Sequence, residues 1–273
     1  MLDSDLEHKL TYDKYLKVDE LLSLQEEQSQ PAHHDEMLFI IIHQSYELWF
    51  KQILHEVRGI VRNIRKNEIF PVLKSLDRII TIERIMIQQV DVIETLSPVE
   101  FAGFRDSLNP ASGFQSHQFR LFEYFCGLKN EDYLKFHKHV PHIVEKLEKQ
   151  LAEPSLYDEV LHFLSRTGFP VPKEILERDV RTQYESHPEV LEIVKSVYLD
   201  IDTHKDIYYL FEKLIELDEN VQLWRYRHVK MVQRTIGMKM GTGGSAGAQY
   251  LKTTLPKNFF PELWDVRTEI GTY

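Results

Sequence analysis

His228 sits in the stretch Val221-Gln-Leu-Trp-Arg-Tyr-Arg-His-Val-Lys-Met-Val-Gln-Arg-Thr235. Val221, Trp224, His228, Met231 or Val232, and Thr235 recur every three or four residues, so one helical face carries them all. A neutral imidazole on such an apolar wall can offer a nitrogen to a haem iron. It can equally be a hydrogen-bonded core histidine, and spacing alone leaves both readings open. Phe39 and His43 pose the same question one turn apart: a pocket wall in which His43 bonds a substrate, or an ordinary core helix. Arg105 follows Phe101 and Phe104, where its guanidinium could fork onto a carboxylate or pair structurally with Glu100 or Asp106. Downstream, Gly241-Thr-Gly-Gly-Ser245 lacks the Gly-Lys-Ser/Thr of a nucleotide loop. Its amides could still cradle an anion, or the segment could be a plain connection.

Other chemistries find less support. One cysteine, Cys126, permits neither an intramolecular disulfide nor a cysteine-based metal cluster. A diiron bundle needs two Glu-x-x-His pairs, and only Glu159-Val-Leu-His162 fits. The run His137-Lys-His139-Val-Pro-His142 is rich in histidine, but its charged surroundings predict an exposed segment. His33-His-Asp35 reads as a helix start, with Asp35 as cap.

The elements that must position these groups are helical. Apolar residues at Phe39, Tyr46, Phe50, Ile53, Val57, Ile60 and Ile64 predict a long helix over about residues 34–65. Another runs from Pro71, which suits a first turn, through Ile79, Ile82 and Val90 towards Glu94. Ser97-Pro-Val-Glu100 has a capping-box pattern, and Leu108 to Gly113 reads as a turn before a helix near Phe114. Prolines 141, 154, 170, 172 and 188 divide the middle into shorter helices, and a second long helix covers Asp202 to Asn220 and continues towards Arg234. Neither repeat nor linker divides the 273 residues, so the expected architecture is all-α: one helical-bundle domain over 1–273 with two long core helices. Thirty-three Lys and Arg against 43 Asp and Glu, a formal charge of −10, argue against a nucleic-acid partner. The charged start, Met1 to Lys9, lacks a signal-peptide core, and the longest apolar run, Met37 to Ile42, is too short for a membrane partner. These features, with the single cysteine, predict a cytoplasmic protein.

Taken in order, these blocks resemble the tryptophan 2,3-dioxygenase family. Leu10 to Gln25 is similar to its N-terminal segment. Phe39 to Gln52, Asn109 to Ser116, Trp224 to Gly237 and Gly241 to Ser245 are similar to its core motifs. The resemblance implies a haem b enzyme, ferrous when active, that adds O2 across the indole C2–C3 bond of L-tryptophan. The product would be N-formyl-L-kynurenine, at the first step of the kynurenine pathway. It assigns His228 as the axial iron ligand and Ser112 as a hydroxyl near the haem. His43 would bond the indole N–H, with Phe39, Ile40, Ile41, Ile42 and Phe101 around the ring. Arg105 would clamp the carboxylate, and Thr242 would meet carboxylate and ammonium as its loop closes. Some bacterial members carry tyrosine where this chain has Phe101, which can only pack. Tyr12 and Leu16, in a segment of about residues 1–30, would be exchanged into a neighbouring subunit's pocket within a homotetramer, a dimer of dimers. A haem-dependent monooxygenase of an aromatic amino acid, or a non-catalytic haem or tryptophan sensor, would be the alternatives.

Overall fold

The computed structural model describes residues 9–244 and 246–271. Expectations about the first eight residues and about Ser245 lie outside the described residues. Within them the fold is all-α, with thirteen α-helices, three short 3₁₀ turns and no strand.

Three long helices form the centre: Glu36–Arg65, Ile69–Ile93 and Lys205–Ile236. The last is a single unbroken rod of 32 residues, so the stretch expected to continue, straight or kinked, past Asn220 does so in one piece. Its apolar stripe meets those of the other two at fully buried positions, among them Val57, Ile60, Leu76, Ile79, Leu210 and Leu214. Each such aliphatic side chain contributes about 1.5–3 kcal/mol by leaving water. Charged pairs flank the seam between the second and third rods: Lys213 with Asp77 at 2.8 Å, Arg84 with Glu216, and Arg227 with Asp91 at 2.5 Å. The successive pairs advance along both helices together, so these two rods run parallel.

Local signals set the shorter elements. The capping box at Ser97 forms: Ser97 N donates to Glu100 at 2.6 Å and Glu100 N donates to Ser97 Oγ at 3.3 Å. Pro141 and Pro188 open Pro141–Ala152 and Pro188–Leu199, where the missing N–H costs nothing. Two expectations need correction. The helix expected near Phe114 is one 3₁₀ turn, Gly113–Gln115, and the α-helix His117–Phe125 starts after a second cap at Ser116. Asp35 occupies the cap position of the first rod, but its side chain makes no capping bond. The neighbouring carboxylate of Glu36 turns back instead, accepting from the Gln28 and Ser29 amides at 2.7 and 3.0 Å.

No helix among the described residues is long and apolar enough to cross a membrane. The N-terminal helices Tyr12–Leu16 and Val18–Leu22 bury none of their residues, and Tyr12, Tyr15, Leu16 and Leu22 face outward.

Candidate active site

One face of the Lys205–Ile236 rod becomes a cavity wall. Trp224, His228, Met231, Val232 and Thr235 all line a cavity of about 210 Å³, as their spacing requires. Phe39 and His43 line it from the first rod, Phe101 and Arg105 from the capped helix Pro98–Phe104 and its 3₁₀ continuation, Ser112 from the next turn, and Thr242 from the glycine loop. The structure thus brings together His228, His43, Phe39, Phe101, Arg105, Ser112 and Thr242. Ile40, Ile41 and Ile42 do not line the cavity. A helix that aims Phe39 and His43 inward turns the three residues between them aside, and Ile41 is exposed while Ile42 enters the core. Tyr12 and Leu16 are likewise absent from this chain's own cavity wall.

His43 has a defined tautomer. Its Nδ1 lies 2.7 Å from the Phe39 carbonyl oxygen, which can only accept, so Nδ1 carries the proton and Nε2 keeps its lone pair. Burial holds the imidazole below its ordinary range, outweighing the Phe39 carbonyl and Glu47, which pull the other way. Phe39 packs 4.1 Å from the His43 ring and 5.6 Å from Phe101, a flat aromatic enclosure beside a hydrogen-bond acceptor.

Among the described residues Arg105 makes none of the ion pairs that a structural arginine would. Its guanidinium donates to the Met240 carbonyl, while its Nε is buried and without a hydrogen-bond partner. A cation so placed retains capacity for a carboxylate. Thr242 donates to the Ala111 carbonyl at 2.6 Å, closing the glycine loop against the turn that carries Ser112. That closure needs Gly243: a Cβ there would stand 2.6 Å from the Ser112 Cβ.

His228 stacks on Trp224, ring centroids 5.2 Å apart and planes within 10°. Removal from water, with the nearby His43, pushes its pKa down to about 4, so the ring is a neutral donor of a lone pair. Three residues before it, Arg225 donates to Glu123 at 2.9 Å and to the Lys257 carbonyl at 2.9 Å. Arg120 shares the same carboxylate and lies over the Tyr133 ring at 4.1 Å. Arg120, Glu123 and Arg225 also line the cavity. Two buried guanidiniums sharing one carboxylate leave positive charge in excess, and Arg120 Nε has no hydrogen-bond partner. Sequence reasoning missed this cluster. The Arg120–Glu123 spacing and the position of Arg225 on the His228 helix were its only signals. Tyr250, Leu251 and Thr254, also on the wall, had none.

The remaining histidine and glutamate candidates are engaged otherwise. Glu159 accepts from Arg65 at 2.9 Å, which takes it out of a diiron pair. His137 is buried beside His117 rather than exposed, because the 3₁₀ segment Glu131–His137 folds it inward.

Comparison with known proteins gives the family. The family model described as Tryptophan 2,3-dioxygenase matches residues 3–152 and 149–270. The chain belongs to the tryptophan 2,3-dioxygenase family. A protein of that name from Myxococcus xanthus is 48% identical over 267 residues, covering 98% of this chain and 92% of its own. One from Herpetosiphon aurantiacus is 49% identical, covering 96% and 98%. One from Bacillus anthracis is 45% identical, covering 98% and 96%. The similarity to family members therefore spans both the wall around His43 and the His228 helix.

Proposed function

We propose that this chain is a haem-dependent dioxygenase converting L-tryptophan and O2 into N-formyl-L-kynurenine, and that His228 would hold the haem iron. The carrying observation is the cavity itself: it sets a half-buried neutral imidazole on one wall against a fixed acceptor, an aromatic enclosure and an under-bonded arginine on the others. The residues fit a haem b group. His228 offers an unprotonated nitrogen, and the excess charge around Arg120 suits the group's carboxylates. Ferrous haem held there would supply the activation of dioxygen.

The chain's own residues bind and aim the substrate. Arg105 takes the tryptophan carboxylate in a charge-assisted contact of about 1.5–3 kcal/mol, with Thr242 beside it. His43 Nε2 accepts the indole N–H, and Phe39 and Phe101 pack the ring. Ser112 stands where the closed loop meets the cavity, and the seated loop excludes water. Orientation of the C2–C3 bond follows from holding the substrate at both ends. The outward-facing Tyr12 and Leu16 support exchange of the N-terminal segment into a neighbouring subunit of a homotetramer. A single buried cysteine suits the cytoplasm.

The test is aerobic incubation of haem-loaded, ascorbate-reduced protein with L-tryptophan under labelled dioxygen. N-formylkynurenine absorbance, with both labelled atoms in the product, is the expected result. A product carrying one labelled atom would make the chain a monooxygenase.

A further inference from the structure

Behind the His228 wall lies a second, much smaller cavity of about 10 Å³. Phe50, Phe119, Phe122 and Val221 make it apolar, yet Glu83 and Asn220 also border it, and Trp224 separates it from the main cavity. Glu83 comes from Ile69–Ile93 and is buried, with neither carboxyl oxygen completing a hydrogen bond. The Asn220 amide faces it and its Nδ2 is equally unsatisfied. A buried carboxyl left this way is costly unless it serves something nearby or shares an internal water.

We propose that Glu83 is a positioning residue: paired with the Asn220 amide, it braces the back of Trp224, holding the indole flat against His228. This rests on the reading of His228 as the axial ligand. The neighbours decide the form of the carboxyl. Asp218 and Glu216 are the charged groups that bear on Glu83, both negative, and the Cys126 thiol beside it is itself pushed up by burial. Asp218 already takes the donors near it, accepting from Phe259 N at 2.8 Å and Trp264 Nε1 at 2.9 Å. Burial and these like charges drive the Glu83 carboxyl well above the ordinary carboxylate range, so it stays protonated. As an acid it can both donate to and accept from the Asn220 amide. Trp224 has little freedom on its other sides, with Phe119 at 5.2 Å and Tyr46 at 6.2 Å. The small cavity leaves the indole room on the side away from the main cavity, and Glu83 and Asn220 border that side.

Two measurements test this. In the cofactor-free protein, infrared difference spectra between wild type and Glu83→Gln should show loss of a carboxylic-acid C=O band that downshifts in D2O. The Trp224 indole N–H resonance, assigned with Trp224→Phe, should move in Glu83→Ala and stay in place in Glu83→Gln. In ferrous holoprotein, the iron–histidine stretching band should shift and broaden in Glu83→Ala and return to the wild-type position in Glu83→Gln. If Glu83→Ala does not fold, Glu83→Asp withdraws the carboxyl by one methylene and replaces it in both arms. An unmoved Trp224 resonance and an unmoved iron–histidine band, with only a lowered melting temperature, would overturn the proposal. So would a Gln variant displaced as far as the Ala variant, or a carboxylate band in place of the acid band. Absence of any iron–histidine band in wild type would count against His228 as ligand, while the cofactor-free arm would still decide the role of Glu83.

Discussion

The two positively charged regions of the cavity wall are built on different principles. Arg120 and Arg225 are buried in the helices themselves, share Glu123, and are pinned by aromatic rings and loop carbonyls. Arg105 is only half-buried, and it donates to Met240, in the loop that also bears Thr242. The first arrangement is expensive to disturb, because breaking one member strands another buried charge. The second consists of contacts that a carboxylate can match or replace at little cost. A rigid region suits a group that stays; a region closed by a loop suits one that enters and leaves at each turnover. Under the proposed function, cofactor retention and substrate selection are thus assigned to separate structural elements and should be separable by mutation.

The sharpest test of that separation is His228→Ala. It should abolish stoichiometric haem retention, read as loss of Soret absorbance after desalting, while helical circular dichroism is preserved. Equal haem content in the variant would break the comparison at its rigid end. Next in size is Arg105→Ala, which removes a charge-assisted contact worth about 1.5–3 kcal/mol and should raise KM for tryptophan about 10- to 150-fold. Its Soret band should be unchanged; a loss of haem here would mean that the two regions are one unit. Smaller still is Gly243→Ala. The new Cβ would meet the Ser112 Cβ at 2.6 Å, so the loop or the turn must give way. Overpacking costs about 1–3 kcal/mol, and an exposed loop relaxes towards the low end, giving about a fivefold rise in KM. An unaltered KM would show that loop seating against Ser112 does not matter for binding.

What could be read in the sequence divides along the same line. Helical periodicity carried the three rods and the cavity-facing set from Trp224 to Thr235, because burial on one face is a property of the chain's own spacing. The capping box at Ser97 was legible for the same reason: all its partners lie within four residues. Arg120 was not, since what marks it is its sharing of Glu123 with Arg225, a residue 105 positions away that only folding brings near. Ile40 to Ile42 adjoin Phe39 and His43 in a motif that is contiguous in sequence, but on the helix surface they turn away from the cavity. His137 was misjudged because charged neighbours on a 3₁₀ segment say little about which way each residue faces.

The mildest effect should come from pH acting on His43, and its sign follows from the tautomer. Nε2 can accept the indole N–H only while it is unprotonated. Burial disfavours the imidazolium, so the ring loses its proton at Nε2 more readily than an exposed histidine does. On falling pH the acceptor therefore survives through the ordinary imidazole value of 6.5 and fails only in more acid solution. kcat/KM for tryptophan should stay flat from about pH 8 to below about 6.5 and then drop. The drop should be far smaller with 1-methyltryptophan, which has no N–H to offer. An exposed histidine would instead give a break near 6.5, and equal breaks for both substrates would remove His43 from the indole contact. The comparison sharpens accordingly: this acid limb should appear in kcat/KM while haem content stays constant, because His43 lies on the wall that holds the substrate and Arg120 and Arg225 on the one that holds the cofactor.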